Sequence, residues 1–312
     1  MDRKGLNTSH LFLVAVVFLW GANVGIVKSA FRDIDPLLFA AIRFTISGFL
    51  MLLFVLWKER DLRIYRRDWR RLVVVGGLGI GLYQILWSVG LQWTSATNSA
   101  LIFAIQPLLG AVYVDLTQQE SVAKRRYWGM LLASGGVLLV ILKPTVSLHF
   151  SLETLWGDLL NLLAAICAAI FFTVWPKPLL KVYSPIRIMG YCMLIGCVVL
   201  WAAFLGSSQP SAIPEIGARA WWPLVYAIVF AGILGHTFWY EGIDRIGASK
   251  TLIYLYFIPV WAALFNHFFL GERLFYQQLA GGGLILLGVH YALREHTEVS
   301  QANAVKPPVR KE

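Results

Sequence analysis

The sequence predicts an all-α integral membrane protein. Ten transmembrane helices are expected, arranged as two inverted five-helix repeats with the N- and C-termini cytoplasmic. Three observations predict this. Of 312 residues, 58% are hydrophobic and only 14% charged, which excludes an ordinary soluble domain. Residues 83–136 recur at 235–288 without a gap. Of the 27 Lys and Arg residues, 21 fall into alternate connections between apolar runs.

A helix crossing a hydrocarbon core of ~30 Å needs about 20 residues. Segments of that kind run over roughly 11–30, 37–57, 71–92, 96–117, 126–143, 155–176, 186–206, 222–241, 248–270 and 276–293. Arg3 and Lys4 precede the first apolar run, which is long and has no small-x-small cleavage site after it, so it reads as an uncleaved span. Thr94-Ser95 and Ile246-Gly247 leave room only for tight hairpins.

Orientation comes from the basic residues. With the N-terminus inside, the inner segments hold 21 Lys and Arg, seven of them in 58–71, and the outer connections hold four. That imbalance puts both termini in the cytoplasm. The net charge of +10 is therefore read as loop charge, with no nucleic-acid partner. The resulting organisation is a cytoplasmic N-terminus (1–10), a first repeat (11–143), an external linker (144–154), a second repeat (155–293) and a disordered cytoplasmic tail (294–312).

The repeat matches Leu86-Trp87…Gly90 with Phe238-Trp239…Gly242, Ala96 with Ala248, Pro107 with Pro259 and Ala111 with Ala263. It continues through Glu120 on Glu272, Gly129 on Gly281 and Gly136-Val137 on Gly288-Val289. Lys28 falls opposite Lys177, and Asp35-Pro36 opposite Ser184-Pro185. An odd number of helices per copy makes the second copy enter the membrane from the other side, and such duplication marks secondary transporters. Gly76-Gly77-x-Gly79-x-Gly81, Gly135-Gly136 and Gly281-Gly282-Gly283 lie after no strand and read as helix-packing glycines. Cys167, Cys192 and Cys197 lie in apolar segments with no paired spacing, so neither a disulfide nor a metal is expected.

Phe18-Leu19-Trp20-Gly21 in the first helix and Pro36…Ala41-Ile42-Arg43-Phe44 opening the second now stand beside the twice-used Pro, Glu and Gly pattern. Over residues 10–293 the chain resembles the EamA-type branch of the drug/metabolite transporter superfamily. The resemblance implies a multi-pass permease of the cell (inner) membrane. It would move small metabolites, often amino acids outward, by alternating access. Gln119 departs from the pattern, standing where the second copy has Gly271 before its Glu.

Polar side chains at mid-membrane are functional candidates because they cost free energy when unpaired. Gln84 aligns with His236. Gln84, Trp87, Ser88 and Leu91 share one helical face, as do His236, Trp239, Tyr240 and Ile243. Tyr83 adjoins the first face. Asn98, Ile102 and Gln106 line up in the fourth helix, and Lys250, Tyr254 and Ile258 in the ninth; Trp20 and Asn23 are i, i+3 neighbours in the first. These faces are expected to surround an aromatic cavity with a few polar groups; the alternative is interhelical hydrogen bonding without substrate contact.

Pro107 and Pro259 lie mid-helix as hinges or static kinks. Arg43 could snorkel, meet a substrate carboxylate or pair with an acid as a gate, and Lys28 is expected to snorkel. Glu120 and Glu272 read as turn or capping groups. No Asp or Glu sits mid-span, which argues against a pump for lipophilic cations. His236 could take a proton or only hydrogen-bond, so proton exchange and facilitated diffusion both stay open.

The reading is an exporter of amino acids or similar amphipathic solutes, with a permease for a sugar-like, purine-like or aromatic xenobiotic compound as the alternative. The six scattered histidines form no metal or catalytic constellation, so no enzyme and no cofactor is expected, and a solute sensor lacks a signalling domain. The expected partners are a small-molecule substrate and the bilayer. Ten helices can enclose a pathway alone, so a monomer is sufficient.

Overall fold

The computed structural model describes residues 3–31, 33–120, 122–142, 154–207, 218–271 and 273–293. Regular structure among them is entirely helical. In order the helices are α1 (Arg3–Ala30), α2 (Pro36–Glu59), α3 (Trp69–Trp93), α4 (Ala96–Phe103 and Gln106–Leu116) and α5 (Lys124–Ile141). They continue with α6 (Leu155–Leu180), α7 (Pro185–Ser207), α8 (Trp221–Ile246), α9 (Ala248–Ile253, Tyr254–Phe257 and Ile258–Leu270) and α10 (Tyr276–Leu293).

Eight of these are long and apolar enough to cross a membrane. The other two, α5 and α10, have 18 residues each. Lys124-Arg125-Arg126 occupies the first turn of α5, and Gln277, Gln278 and three glycines dilute α10. Helix α1 begins at Arg3, inside the segment expected to be an N-terminal extension, because no proline interrupts helical bonding ahead of the apolar run. Glu272, the tail beyond Leu293, the linker before Thr154 and the Lys28 side chain lie outside the described residues.

Local chemistry sets the helix ends. Asp35 precedes Pro36 at the first turn of α2 and accepts from the N–H groups of Leu37 (2.8 Å) and Leu38 (3.0 Å). Ser95 accepts from Asn98 N–H at 3.0 Å to start α4, so Thr94-Ser95 suffices as a connection. Gly247, between α8 and α9, has φ +87°; a Cβ there would be strained and would lie 2.7 Å from Glu120 Oε1.

Helices pack in pairs that mirror the duplication. α2 lies on α7, α4 on α9, and α5 on α10, each beside its own counterpart. α1 packs on α8, and its counterpart α6 packs on α3, the counterpart of α8. Small residues permit the closest pairing: a Cβ on Gly129 would sit 2.6 Å from Gly288 O, and one on Gly136 2.7 Å from Gly281 O. Gly76, Gly79 and Gly81 likewise meet α7 or α6, whereas Gly77 and Gly283 face open space, so these two are not packing glycines.

Three helices widen into π-helical turns: Gly77–Leu82 in α3, Ala168–Val174 in α6 and Ala227–Gly235 in α8. Those of α3 and α8 end immediately before Tyr83-Gln84 and His236, matched positions in the two copies. Such turns concentrate at functional sites, because the extra residue re-aims the side chains of the next helical turn.

Candidate functional site

The site is built where α1, α2, α6 and α8 meet, with α3 alongside. Trp20 on α1 is its centre, with ring centroids 5.2 Å from His236, 5.3 Å from Trp239 and 6.4 Å from Phe172. Phe172 lies 5.6 Å from His236 and 5.7 Å from Tyr240, and Phe44 lies 6.0 Å from His236. On α8, Trp239, Tyr240 and Ile243 are fully buried, and His236 is half-buried one turn before them.

Hydrogen bonding fixes the rings. Trp20 Nε1–H donates to Ala231 O at 3.1 Å. His236 Nδ1 lies 2.8 Å from Ala231 O and 3.0 Å from Gly232 O. Carbonyl oxygens only accept, so Nδ1 carries the proton and Nε2 of the neutral ring is an acceptor. The π turn of α8 supplies both carbonyls, and Gly232 O also accepts the His236 backbone N–H.

Arg43 is the cation of the site. Its guanidinium stands 4.4 Å over the Phe44 ring and within electrostatic reach of Tyr83 and His236. No carboxylate pairs with it among the described residues. Several buried polar atoms nearby have no hydrogen-bond partner among the described residues: Arg43 Nε, Asn23 Oδ1, Trp239 Nε1 and Tyr240 Oη. A buried polar atom without a partner costs about 1–3 kcal/mol.

Other expected members are placed elsewhere. Tyr83 packs on Phe103 at 6.1 Å; Gln84 is buried and Trp87 half-buried beside it on α3, with no hydrogen bond or ring contact to the cluster among the described residues. Gln106 is buried at the start of the second segment of α4. Asn98 reaches Asp158 of α6 at 3.3 Å, in a polar network with Thr94, Thr154 and the Ser99–Asn161 pair (2.6 Å); that network binds the α3–α4 hairpin to α6. Tyr254 hydrogen-bonds His10 at the start of α1. Pro107 and Pro259 each come just after a break, at Ala104-Ile105 and at the 3-10 turn Tyr254–Phe257.

Phe172 and Phe44 were not among the expected residues. The spacing that puts Lys28 opposite Lys177 puts Asn23 opposite Phe172, so the duplication itself carried a signal for Phe172. Phe44 is simply the neighbour of Arg43.

One end of the bundle carries ion pairs. At the end carrying the 58–71 loop, Glu120 accepts from Lys177 Nζ at 2.8 Å and from the N–H groups of Ala248 (2.9 Å) and Ser249 (3.2 Å). Arg126 adds a bond to Ser249 Oγ at 2.8 Å. Glu120 therefore caps α9, a helix of the other repeat.

A profile of the EamA-like transporter family matches the chain twice, over residues 7–142 and 155–294. The chain belongs to the EamA-like transporter family. Within curated relatives it is 30% identical over 287 residues to the uncharacterized transporter YyaM of Bacillus subtilis, covering 92% of this chain and 93% of that one. A chloroplastic WAT1-related protein of Arabidopsis thaliana is 26% identical over 292 residues, covering 92% of this chain and 70% of the relative. A crystal structure shares the fold with TM-score 0.78 at 19% identity, covering 95% of this chain and 99% of its own. The EamA-like chain is thus a multi-pass transporter of the cell membrane and not an enzyme. Its family membership fits a cluster of aromatic rings and unpaired polar groups enclosed by helices.

Proposed function

We propose that this EamA-like protein exports small amphipathic metabolites, amino acids foremost, by alternating access between two inverted five-helix repeats. Ten spans and cytoplasmic termini in the inner membrane complete the reading. Support for the inversion comes from the basic-residue imbalance and from counterpart helices packing on one another, as a two-fold relation between halves requires.

One observation carries the substrate class: the Arg43 guanidinium, its Nε buried and no carboxylate paired with it among the described residues, beside indole, phenol and amide groups without a partner among those residues, in an aromatic cluster. Arg43 would meet a carboxylate, Trp239 Nε1–H and Tyr240 Oη would meet polar atoms, and Trp20, Phe44 and Phe172 would cover an apolar side chain. With no acidic group in the cluster, a cationic substrate has no counter-charge there. Substrate would enter when Glu120 releases α9 at one end, and Pro107 and Pro259 would let the broken halves of α4 and α9 bend.

Counterflow in proteoliposomes tests this. Vesicles would be preloaded with each amino acid in turn, and labelled aromatic and aliphatic tracers followed with and without a pH gradient. Accelerated exchange for one side-chain class supports the reading. No exchange in vesicles containing folded protein would overturn it in favour of a permease for a sugar-like, purine-like or aromatic xenobiotic solute.

A further inference from the structure

The connection between α2 and α3 carries Lys58, Arg60, Arg63, Arg66, Arg67, Arg70 and Arg71, and all seven side chains are exposed. The same stretch holds three carboxylates, Glu59, Asp61 and Asp68. A solvated loop of mixed charge would let these neutralise their basic neighbours. Here each is held by residues of the α6–α7 hairpin instead.

Glu59 accepts from Arg187 Nη2 at 2.6 Å and Nε at 3.0 Å, and Asp61 accepts from Arg187 Nη1 at 3.2 Å. Ser184 Oγ also donates to Glu59. Asp68 accepts from Tyr183 Oη at 2.8 Å, with a loose contact to Arg67 Nε at 3.8 Å. Glu59 and Asp68 turn toward the hairpin, while Asp61, its side chain 49% exposed, also accepts from Arg63 N–H at 2.9 Å.

The loop backbone is tied down as well. Tyr191 Oη donates to Leu62 O (2.7 Å), Arg187 Nη1 to Arg63 O (3.4 Å), and Tyr65 N–H donates to Tyr183 Oη (2.9 Å). Residues 60–68 contain no helix, yet they hold a set shape, so a ligand would meet cations already ordered. Trp57, Tyr65 and Trp69 flank them with 76%, 62% and 40% of their surface exposed, and amphipathic rings of this kind settle at the headgroup level of a bilayer.

We propose that the exposed face of residues 58–71 docks anionic phospholipid headgroups, with Arg187, Ser184 and Tyr183 acting as positioning residues that withdraw the competing carboxylates. The chemistry recognised is a phosphodiester anion at interfacial depth, and the source is the lipid leaflet against which the loop lies. Attraction to such a surface grows with each Lys or Arg left uncompensated within a Debye length of it. A buried arginine would then control lipid binding without touching lipid.

The full chain, purified in detergent, would be offered phosphatidylglycerol and phosphatidylcholine with identical acyl chains, and the retained lipid counted by native mass spectrometry. Wild type is expected to favour phosphatidylglycerol by about tenfold. Arg66→Gln, Arg67→Gln, Arg70→Gln and Arg71→Gln combined in one chain should bring retention near parity. Arg187→Met should lower the preference because it frees Glu59 and Asp61; Tyr183→Phe, which frees Asp68, does the same if the first variant fails to fold. Parity in wild type, an undiminished preference in the quadruple variant, or displacement of the lipid by an equal concentration of inorganic phosphate would overturn the proposal. An unchanged preference in folded Arg187→Met and Tyr183→Phe would remove the positioning role.

Discussion

Glu120 and Lys177 stand 2.8 Å apart, joining the end of α4 in one repeat to the α6–α7 hairpin of the other. The same carboxylate caps α9 through Ala248 and Ser249. One side chain therefore ties three elements, the end of α4, α6 and the start of α9. Both partners are mostly buried, Lys177 with 26% and Glu120 with 15% of its side-chain surface exposed, so the pair is screened less than a surface pair.

Glu120→Gln is expected to favour opening at that end and to cost about 1–3 kcal/mol of stability. A cycle with Lys177→Met should return a coupling of about 1 kcal/mol. Labelling of a cysteine placed behind Glu120 checks the opening; unchanged labelling would mean that the pair is only structural.

Trp239→Phe removes the unpaired Nε1–H together with part of the indole ring, and is the smaller truncation of this buried side chain. Loss of a substrate hydrogen bond worth about 1 kcal/mol predicts a roughly fivefold rise in KM with normal expression. Trp239→Ala is the poorer probe, because emptying a fully buried Trp site costs about 3–5 kcal/mol. Counterflow at varied substrate concentration gives the answer.

Arg43 should distinguish an amino acid from its carboxamide. In wild type the carboxylate form is expected to exchange at least about tenfold better, and Arg43→Gln should erase that preference. Arg43→Lys should restore part of it, since the charge remains while the two-pronged geometry is lost. Equal transport of both forms by wild type would place the cation outside the binding step.

Pro107→Ala and Pro259→Ala should slow turnover several-fold without altering substrate preference, because each removes a built-in interruption of backbone bonding. Single-turnover exchange against steady-state flux separates this from a binding defect. Unchanged turnover would make the breaks static kinks.

Asp61 makes a pH prediction outside the membrane-spanning helices. The Arg63 backbone N–H, and after it Arg187, holds its carboxyl below the ordinary 3.8. A depressed folded-state value means that this stability is fully present above the unfolded value and is lost as pH falls through the folded one. Wild type minus Asp61→Asn melting temperature should therefore be flat from pH 7 down to about 4 and shrink below it. A difference that does not change below pH 4 would show that the contact adds nothing.

Much of the candidate site was legible because it lies on one helix with one period. His236, Trp239 and Tyr240 occupy a single face of α8, and an i, i+3, i+4 pattern is local information. Asn98 and Tyr254 were harder. Their spacing was correctly helical, but Asn98 turns to Asp158 and Tyr254 to His10, partners 60 and 244 residues away. Nothing in the periodicity of α4 or α9 distinguishes a neighbour in the site from one beside it. In the sequence Arg187 is one more basic residue at a helix end, yet it holds two carboxylates at once.

Helical class, duplication and the segregation of charge are written in the chain alone, because each rests on the transfer of side chains between water and hydrocarbon or on a repeated string. So are the places where Pro and Gly interrupt the helices. Three outcomes required the packed bundle: Glu120 caps a helix of the opposite repeat, π turns precede Tyr83 and His236, and Arg43 meets no carboxylate among the described residues. These depend on distances between segments far apart in the chain. Hydrogen bonds and ion pairs act over a few ångströms, so their partners are chosen by packing after the helices have formed.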